Sequence, residues 1–322
     1  MRSLSKNKNI LKFLPNNKGT IYANLIVKWK KRMKEILKQV KKIELNTKKL
    51  VEGLITGNYH SIFKGTGIEF SEIREYKPGD DIRTIDWKVT ARFNRPFIKE
   101  FIEERDLGVY FVLDVSASSS FGNNIEKKRK SIELIASLMF SAMKNNDAVG
   151  LFLITDKLEK FIPARKGKKH ILRLITELLT FNPESKKTNL LEPFKSVSKI
   201  IKKRSIVFVV SDFFSDDFSK PLKVLKKKND VIAVRIVDKR EKEIPDIGYI
   251  ELEDEETGEQ ILVDTSNKEF RENYARLIWE NDKKLEKMFK KYKIDFIEIL
   301  TDESYEKPLK KFFKIRKFRE IR

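Results

Sequence analysis

The stretch DLGVYFVLDVSASSS, residues 106–120, decides the fold. Val109 to Leu113 run without a polar break and end in Asp114, and Ser116 and Ser118 follow at alternate positions. Such a run reads as a strand buried on both faces, the kind found in parallel sheets. A polar cluster at its carboxyl end lies where open α/β sheets place their sites. One carboxylate and two hydroxyls make an all-oxygen corner, which suits Mg²⁺ or Mn²⁺ and not a soft metal. A capping turn competes with that reading, because short serine-rich turns after strands are common.

Downstream the pattern alternates strand and helix. Residues 125–144 read as a helix, 147–154 as a strand and 158–162 as its hairpin partner. Helices follow over 168–180 and 190–202. SIVFVV (205–210) is a second buried strand and 230–237 a third, with a helix over 220–228 between them. ETGEQILVD (256–264) reads as a hairpin, 268–291 as a long helix and 294–299 as a last strand. Buried strands separated by helices imply a mostly parallel sheet with helices on both faces. Asp212 follows SIVFVV through Ser211, so it too belongs at a strand's carboxyl end. Thr188 sits in a loop before a helix. Asp114, Ser116, Ser118, Thr188 and Asp212 thus offer oxygen ligands from three loops above one sheet. Mg²⁺ takes octahedral oxygen ligation and keeps waters, which leaves a position for a carboxylate from another protein.

Upstream, residues 57–105 are punctuated by Gly and Pro and predict short strands and turns. Arg74, Asp80, Asp81, Arg83, Asp86, Arg92, Lys99, Glu104 and Arg105 alternate there with Tyr76, Trp87, Phe93 and Phe97. Charges of both signs so placed predict a partly buried ion-pair network joining two parts of the fold, or a site. From Leu25 to Ile43 apolar residues recur at spacings of three and four, giving a helix with one apolar stripe and a Lys-rich face. The stripe either packs on the main domain or lies in a membrane interface with Trp29 as anchor. Four segments result: a basic arm (1–35), a charged block (36–105), an α/β domain (106–300) and a basic, aromatic tail (301–322).

Composition removes several chemistries. Cysteine is absent, so disulfides, thiolate nucleophiles and Cys-ligated metals are excluded. His60 and His170 are the only histidines, too few for a multi-histidine zinc site. No run of 18 apolar residues and no cleavable signal appear, which predicts a soluble, cytoplasmic protein, in one reading peripheral to a membrane. The net charge is +21, and residues 1–50 hold fifteen Lys/Arg against two acidic residues. That asymmetry points to an acidic partner: anionic lipid, nucleic acid or an acidic protein face. A Lys-rich background composition explains it equally.

DVSAS, a loop threonine and a strand-terminal aspartate together resemble the metal-ion-dependent adhesion site of von Willebrand factor A-type domains. The upstream stretch GTGIEFSEIREYKPGDDIRTIDWKVTARFNRPFIKEFIEERD is more specific. It resembles the signature of the domain-of-unknown-function 58 family, as do NNDAVGLFLITD, SDFF, VIAVRIVDKREKEIP and EDEETGE. The likeness spans about residues 36–318. It implies a von Willebrand A-like (Rossmann-like) α/β domain, with a smaller β-containing block and an amphipathic helix before it. It also implies that Asp114, Ser116, Ser118, Thr188 and Asp212 form the adhesion site. Family association further implies an adaptor working with a MoxR-type AAA+ ATPase and with other von Willebrand A-type proteins. Many members carry N-terminal transmembrane helices; this chain resembles the shorter form. The resemblance assigns no role to Arg74, Asp80, Asp81, Arg83, Asp86 and Trp87.

The leading expectation is a non-enzymatic module that binds Mg²⁺ and an acidic residue of a partner. Aspartyl-phosphate catalysis needs a second acid two residues after the first, and Ser116 stands there. The remaining alternative is a basic protein of nucleic-acid or anionic-membrane surfaces whose metal site is vestigial. No recognised nucleic-acid module is present, so specific nucleic-acid binding is not expected.

Overall fold

The computed structural model describes residues 34–47, 69–102, 108–117, 125–215, 217–254 and 257–320. Ser118, Glu104, Arg105 and residues 25–33 of the expected amphipathic helix lie outside these.

The strand predicted from 109–113 is β3 (Gly108–Asp114). Val109, Phe111 and Val112 are fully buried. A strand buried on both faces cannot stand alone; it needs neighbours on each side and cover above and below. β4 (Ala148–Ile154) and β6 (Ser205–Val210) supply the neighbours, both parallel to β3. β7 (Asp230–Val237) and β10 (Asp295–Leu300) extend the sheet beyond β6. β5 (Leu158–Arg165) closes the other side as an antiparallel hairpin with β4. The order is β10-β7-β6-β3-β4-β5. The chain leaves β3 toward β4 and β5, then crosses back to β6 on β3's other side. The strand order therefore reverses between β3 and β6. In open α/β sheets that reversal point, at the carboxyl ends, is where a crevice forms.

Helices cover both faces. The residue 34–47 helix (α1), α3 (Ile125–Lys144), α4 (Lys168–Thr180) and α9 (Glu306–Glu320) pack on one face. α5 (Leu191–Ile200), α6 (Ser219–Lys228) and α8 (Lys268–Lys291) pack on the other. Val40 and Ile43 of α1 are buried in the first core. The described part of the N-terminal stripe therefore packs on the protein. The 301–322 segment is more than a basic tail: Leu309 and Phe313 of α9 are buried in the same core. Its lysines hid a helix whose apolar positions lie four residues apart. β8 (Tyr249–Glu253) and β9 (Gln260–Asp264) form a separate hairpin, and α7 (Lys239–Lys242) is a single capped turn.

Beyond α1, the described part of the charged block is a small antiparallel hairpin, β1 (Glu69–Glu75) with β2 (Phe97–Ile102). A 3₁₀ turn (Ile82–Thr84) and the short helix α2 (Trp87–Phe93) lie between them. Its charges serve the hairpin's own turns. Arg74 donates to both carboxylate oxygens of Asp80, at 2.8 and 3.0 Å. Asp81 caps the 3₁₀ turn through the Arg83 amide. Asp86 caps α2 through the Lys88 and Val89 amides and pairs with Lys99 at 3.3 Å. Arg83 makes no ion pair among the described residues, and Trp87 is 72% exposed. Where a network joining two parts of the fold was expected, Arg74–Asp80, Arg95–Glu75 and Asp86–Lys99 are pairs within one hairpin. Aspartates beside turn amides are Asx caps first, and alternation of charge with aromatics does not distinguish these from a network.

The Arg74 guanidinium, followed by the Lys77 amide, holds the Asp80 carboxyl at about 2, below its ordinary 3.8. A depressed carboxylate supports the hairpin at pH values above its ordinary one and loses that support as pH falls through about 2. Arg74→Ala is expected to return the Asp80 titration toward 3.8, followed by carboxyl-carbon NMR. An unmoved titration would show that the amide alone holds the charge.

Candidate metal centre

Asp114 is the last residue of β3 and is 3% exposed. Its Oδ1 accepts from the Ser116 amide at 3.0 Å and from Ser116 Oγ at 2.6 Å. Its Oδ2 accepts from Ser211 Oγ at 2.7 Å. The strand register causes this. Leu113 of β3 lies beside Val210 of β6, so Asp114 and Ser211 leave the sheet side by side. Ser211 Oγ in turn accepts from the Phe213 amide at 2.9 Å, which ties the second loop to the first carboxylate.

Asp212 is half-buried, and its Oδ1 accepts from the Phe214 amide at 3.0 Å. The next residue, Phe213, has φ 57°, in the left-handed region that a bulky side chain avoids. Such a residue costs of order 1–3 kcal/mol and persists only where its surroundings over-determine it. Here the buried Phe213 ring packs edge-on to Phe289, centroids 5.2 Å apart, and lies 5.9 Å from Phe218. The core thereby fixes the turn that carries Asp212.

Burial, and then the neighbouring charge of Asp212, push the Asp114 carboxyl up to about 6. Two carboxylates held in one poorly hydrated corner repel each other, and a divalent cation between them would reverse the sign of that interaction. Among the described residues no group of three or more His, Cys, Asp or Glu is placed to hold a metal. A cation here would rest on two carboxylates, hydroxyls and water. That oxygen-only donor set fits Mg²⁺ or Mn²⁺ and no soft metal.

The loop 181–190 closes the third side. The Ala117 amide donates to the Lys186 carbonyl at 3.0 Å, and Glu159 accepts from the Ser185 amide at 3.1 Å. Thr188 stands two residues beyond that tie and is half-buried. A cavity of about 390 Å³ opens over the corner, lined by Asp114, Ser116, Ser185, Lys186, Ser211 and Lys127, among others. Lys127 is buried and committed to Glu241 at 2.9 Å. The structure thus joins Asp114 and Ser116 directly and Asp212 electrostatically. Thr188 sits on the adjoining loop but does not line the cavity, nor does Asp212. Ser211 was missed from the sequence. Its only signal was its place one residue past the β6 run, level with Asp114 once β3 and β6 are paired.

With this geometry in view, a family model described as "Protein of unknown function DUF58" matches residues 72–284. The chain belongs to this family. The match takes in the charged block from residue 72 onward, β3, the three loops of the corner and all but the last strand of the sheet. Uncharacterized protein Rv1480 of Mycobacterium tuberculosis is 28% identical over 240 residues, 73% of this chain and 75% of its own length. Uncharacterized protein YeaD of Bacillus subtilis is 28% identical over 108 residues, 34% of this chain and 25% of its own. Among solved structures, conserved hypothetical protein BatB from Bacteroides thetaiotaomicron is similar, with a TM-score of 0.41 and 15% identity. It covers 65% of this chain and 98% of its own. None of these names states an activity. Among the described residues no helix is long and apolar enough to cross a membrane.

Proposed function

We propose that this chain is a non-enzymatic protein-interaction module of von Willebrand A type, working through a divalent cation at the β3–β6 corner. The observation that carries it is the buried Asp114 carboxylate, which accepts three hydrogen bonds from Ser116 and Ser211 beside Asp212. Asp114, Ser116 and Asp212 would hold the cation, joined by Thr188 and by Ser118. Mg²⁺, when bound, supplies a hard Lewis-acidic centre for a carboxylate oxygen. The protein's own part is to orient hydroxyls and carboxylates and to limit water over the corner. An acidic side chain of a partner completes the shell, a charge-assisted contact in a partly desolvated cavity. No catalytic step is assigned, because Ser116 occupies the place where an aspartyl-phosphate enzyme carries its acid.

The partner class is a MoxR-type AAA+ ATPase, or another von Willebrand A-type protein, with this chain as adaptor in assembling or activating a complex. The test is capture of a co-expressed MoxR-type ATPase on the immobilised full chain, in Mg²⁺ and in EDTA. Asp212→Ala is expected to reduce Mg²⁺-dependent capture to the EDTA level while circular dichroism stays unchanged. Equal capture in EDTA would sink the proposal.

A further inference from the structure

The two edges of the six-stranded sheet are finished differently. β5 carries Pro163, which removes an amide donor and blunts that edge. β10, DFIEIL, has no proline and among the described residues pairs only with β7. The Thr301 amide, just past β10, donates to the Val237 carbonyl at 2.9 Å. Alternation along a strand then turns the amides and carbonyls of Phe296 and Glu298, and the Leu300 amide, away from β7. These groups have no backbone partner among the described residues, and only the Leu300 carbonyl is used, by the Glu303 amide at 3.3 Å.

The open edge lies at the bottom of a slot. α8 packs on one face of the sheet through Phe289, and α9 packs on the other through Leu309 and Phe313. Between them runs a groove of about 920 Å³, floored by β10 and walled by Phe312 and Ile315. Four acids line it: Glu286 pairs with Lys283, Asp295 with Arg316 and Glu298 with Lys242, while Glu303 makes no ion pair among the described residues. Lys290, Lys293, Lys307 and Lys311 line it and make no ion pair among the described residues. Lysines at an edge keep two copies of a chain from pairing edge to edge. The same charges favour a strand of opposite sign, so one device both excludes self-pairing and selects a partner.

We infer that this slot takes an extended acidic segment of a partner protein, added to β10 as a seventh strand between α8 and α9. Backbone hydrogen bonds to Phe296, Glu298 and Leu300 would give affinity, and carboxylates meeting the four lysines would give selectivity. The chain's own arm does not suit the slot, since residues 1–33 hold nine Lys/Arg and no acid. The site lies at one edge of the sheet, with β7 between it and the central β6–β3 pair that carries the corner, and does not depend on that corner.

The test uses the full chain and fluorescent synthetic peptides alternating valine with glutamate or with lysine, in Mg²⁺ and in EDTA. The glutamate peptide is expected to bind about tenfold or more tighter than the lysine peptide, less so as salt rises. Its binding should be equal in EDTA and lost when alternate peptide amides are N-methylated. Lys290→Glu with Lys311→Glu, both exposed, should reverse the preference. The inference is overturned by no binding, by equal binding of both peptides, or by undiminished binding after N-methylation. Tighter binding of a peptide of residues 1–33 would also overturn it, assigning the slot to the arm.

Discussion

Asp114→Ala is expected to abolish saturable Mg²⁺ and Mn²⁺ binding to the metal-free chain, weakening it by roughly a hundredfold or more. The size follows from geometry. Asp114 is the one carboxylate of the corner that is almost fully buried, and Ser116 and Ser211 are both oriented by it. Removing it takes away a charge and the acceptor that aligns two hydroxyls. Those hydroxyls then lose a partner, a cost of about 1–3 kcal/mol each when buried. Deleting a buried carboxylate that sits beside Asp212 offsets part of that cost, so the variant should fold. Calorimetric titration of wild type and variant, with circular dichroism as the folding check, reads the result. Full retention of Mg²⁺ binding in a folded variant would place the cation elsewhere. A wild type that binds nothing would remove the metal from the proposed module and leave a hydrogen-bonded corner.

Phe208→Ala should destabilise the protein by about 3–5 kcal/mol, the range for truncating a buried aromatic. Phe208 is fully buried in the middle of β6 and stacks on Phe111 of β3, centroids 5.2 Å apart and planes 8° apart. It is packed between the sheet and the helices of the first face, so a truncated site has little freedom to collapse. For a chain of this size the thermal midpoint should fall by roughly ten degrees. Urea and thermal unfolding monitored by circular dichroism measure both. A loss below about 1 kcal/mol would mean that the two strands are not close-packed there.

The sheet was legible because burial on both faces leaves no room for polar residues. The helix 168–180 and the strands 205–210 and 230–237 match their expected limits. The long helix over 268–291 matches as well, its start marked by Asn267, which caps it through the Phe270 amide. Where patterns misled, the reason is specific. Leu309 and Phe313 were hidden among lysines whose aliphatic stems tolerate any surface. In the block, Asp80, Asp81 and Asp86 read as candidates for a network or a site, yet each satisfies turn or helix amides beside it.

The amino-acid sequence by itself determined the class of fold, the buried strands, the oxygen-only chemistry at the end of β3 and the absence of thiol chemistry. These are local properties, written in burial period and residue type. Only the tertiary structure decided which strands are neighbours. That order sets Ser211 against Asp114, joins Ala117 to Lys186, and among the described residues leaves β10 at one edge of the sheet while Pro163 marks the other. Periodicity records how deeply a residue is buried and carries no address for its partner. Strand order is chosen by crossovers and packing across the whole chain, so a site assembled from three loops exists only once that choice is made.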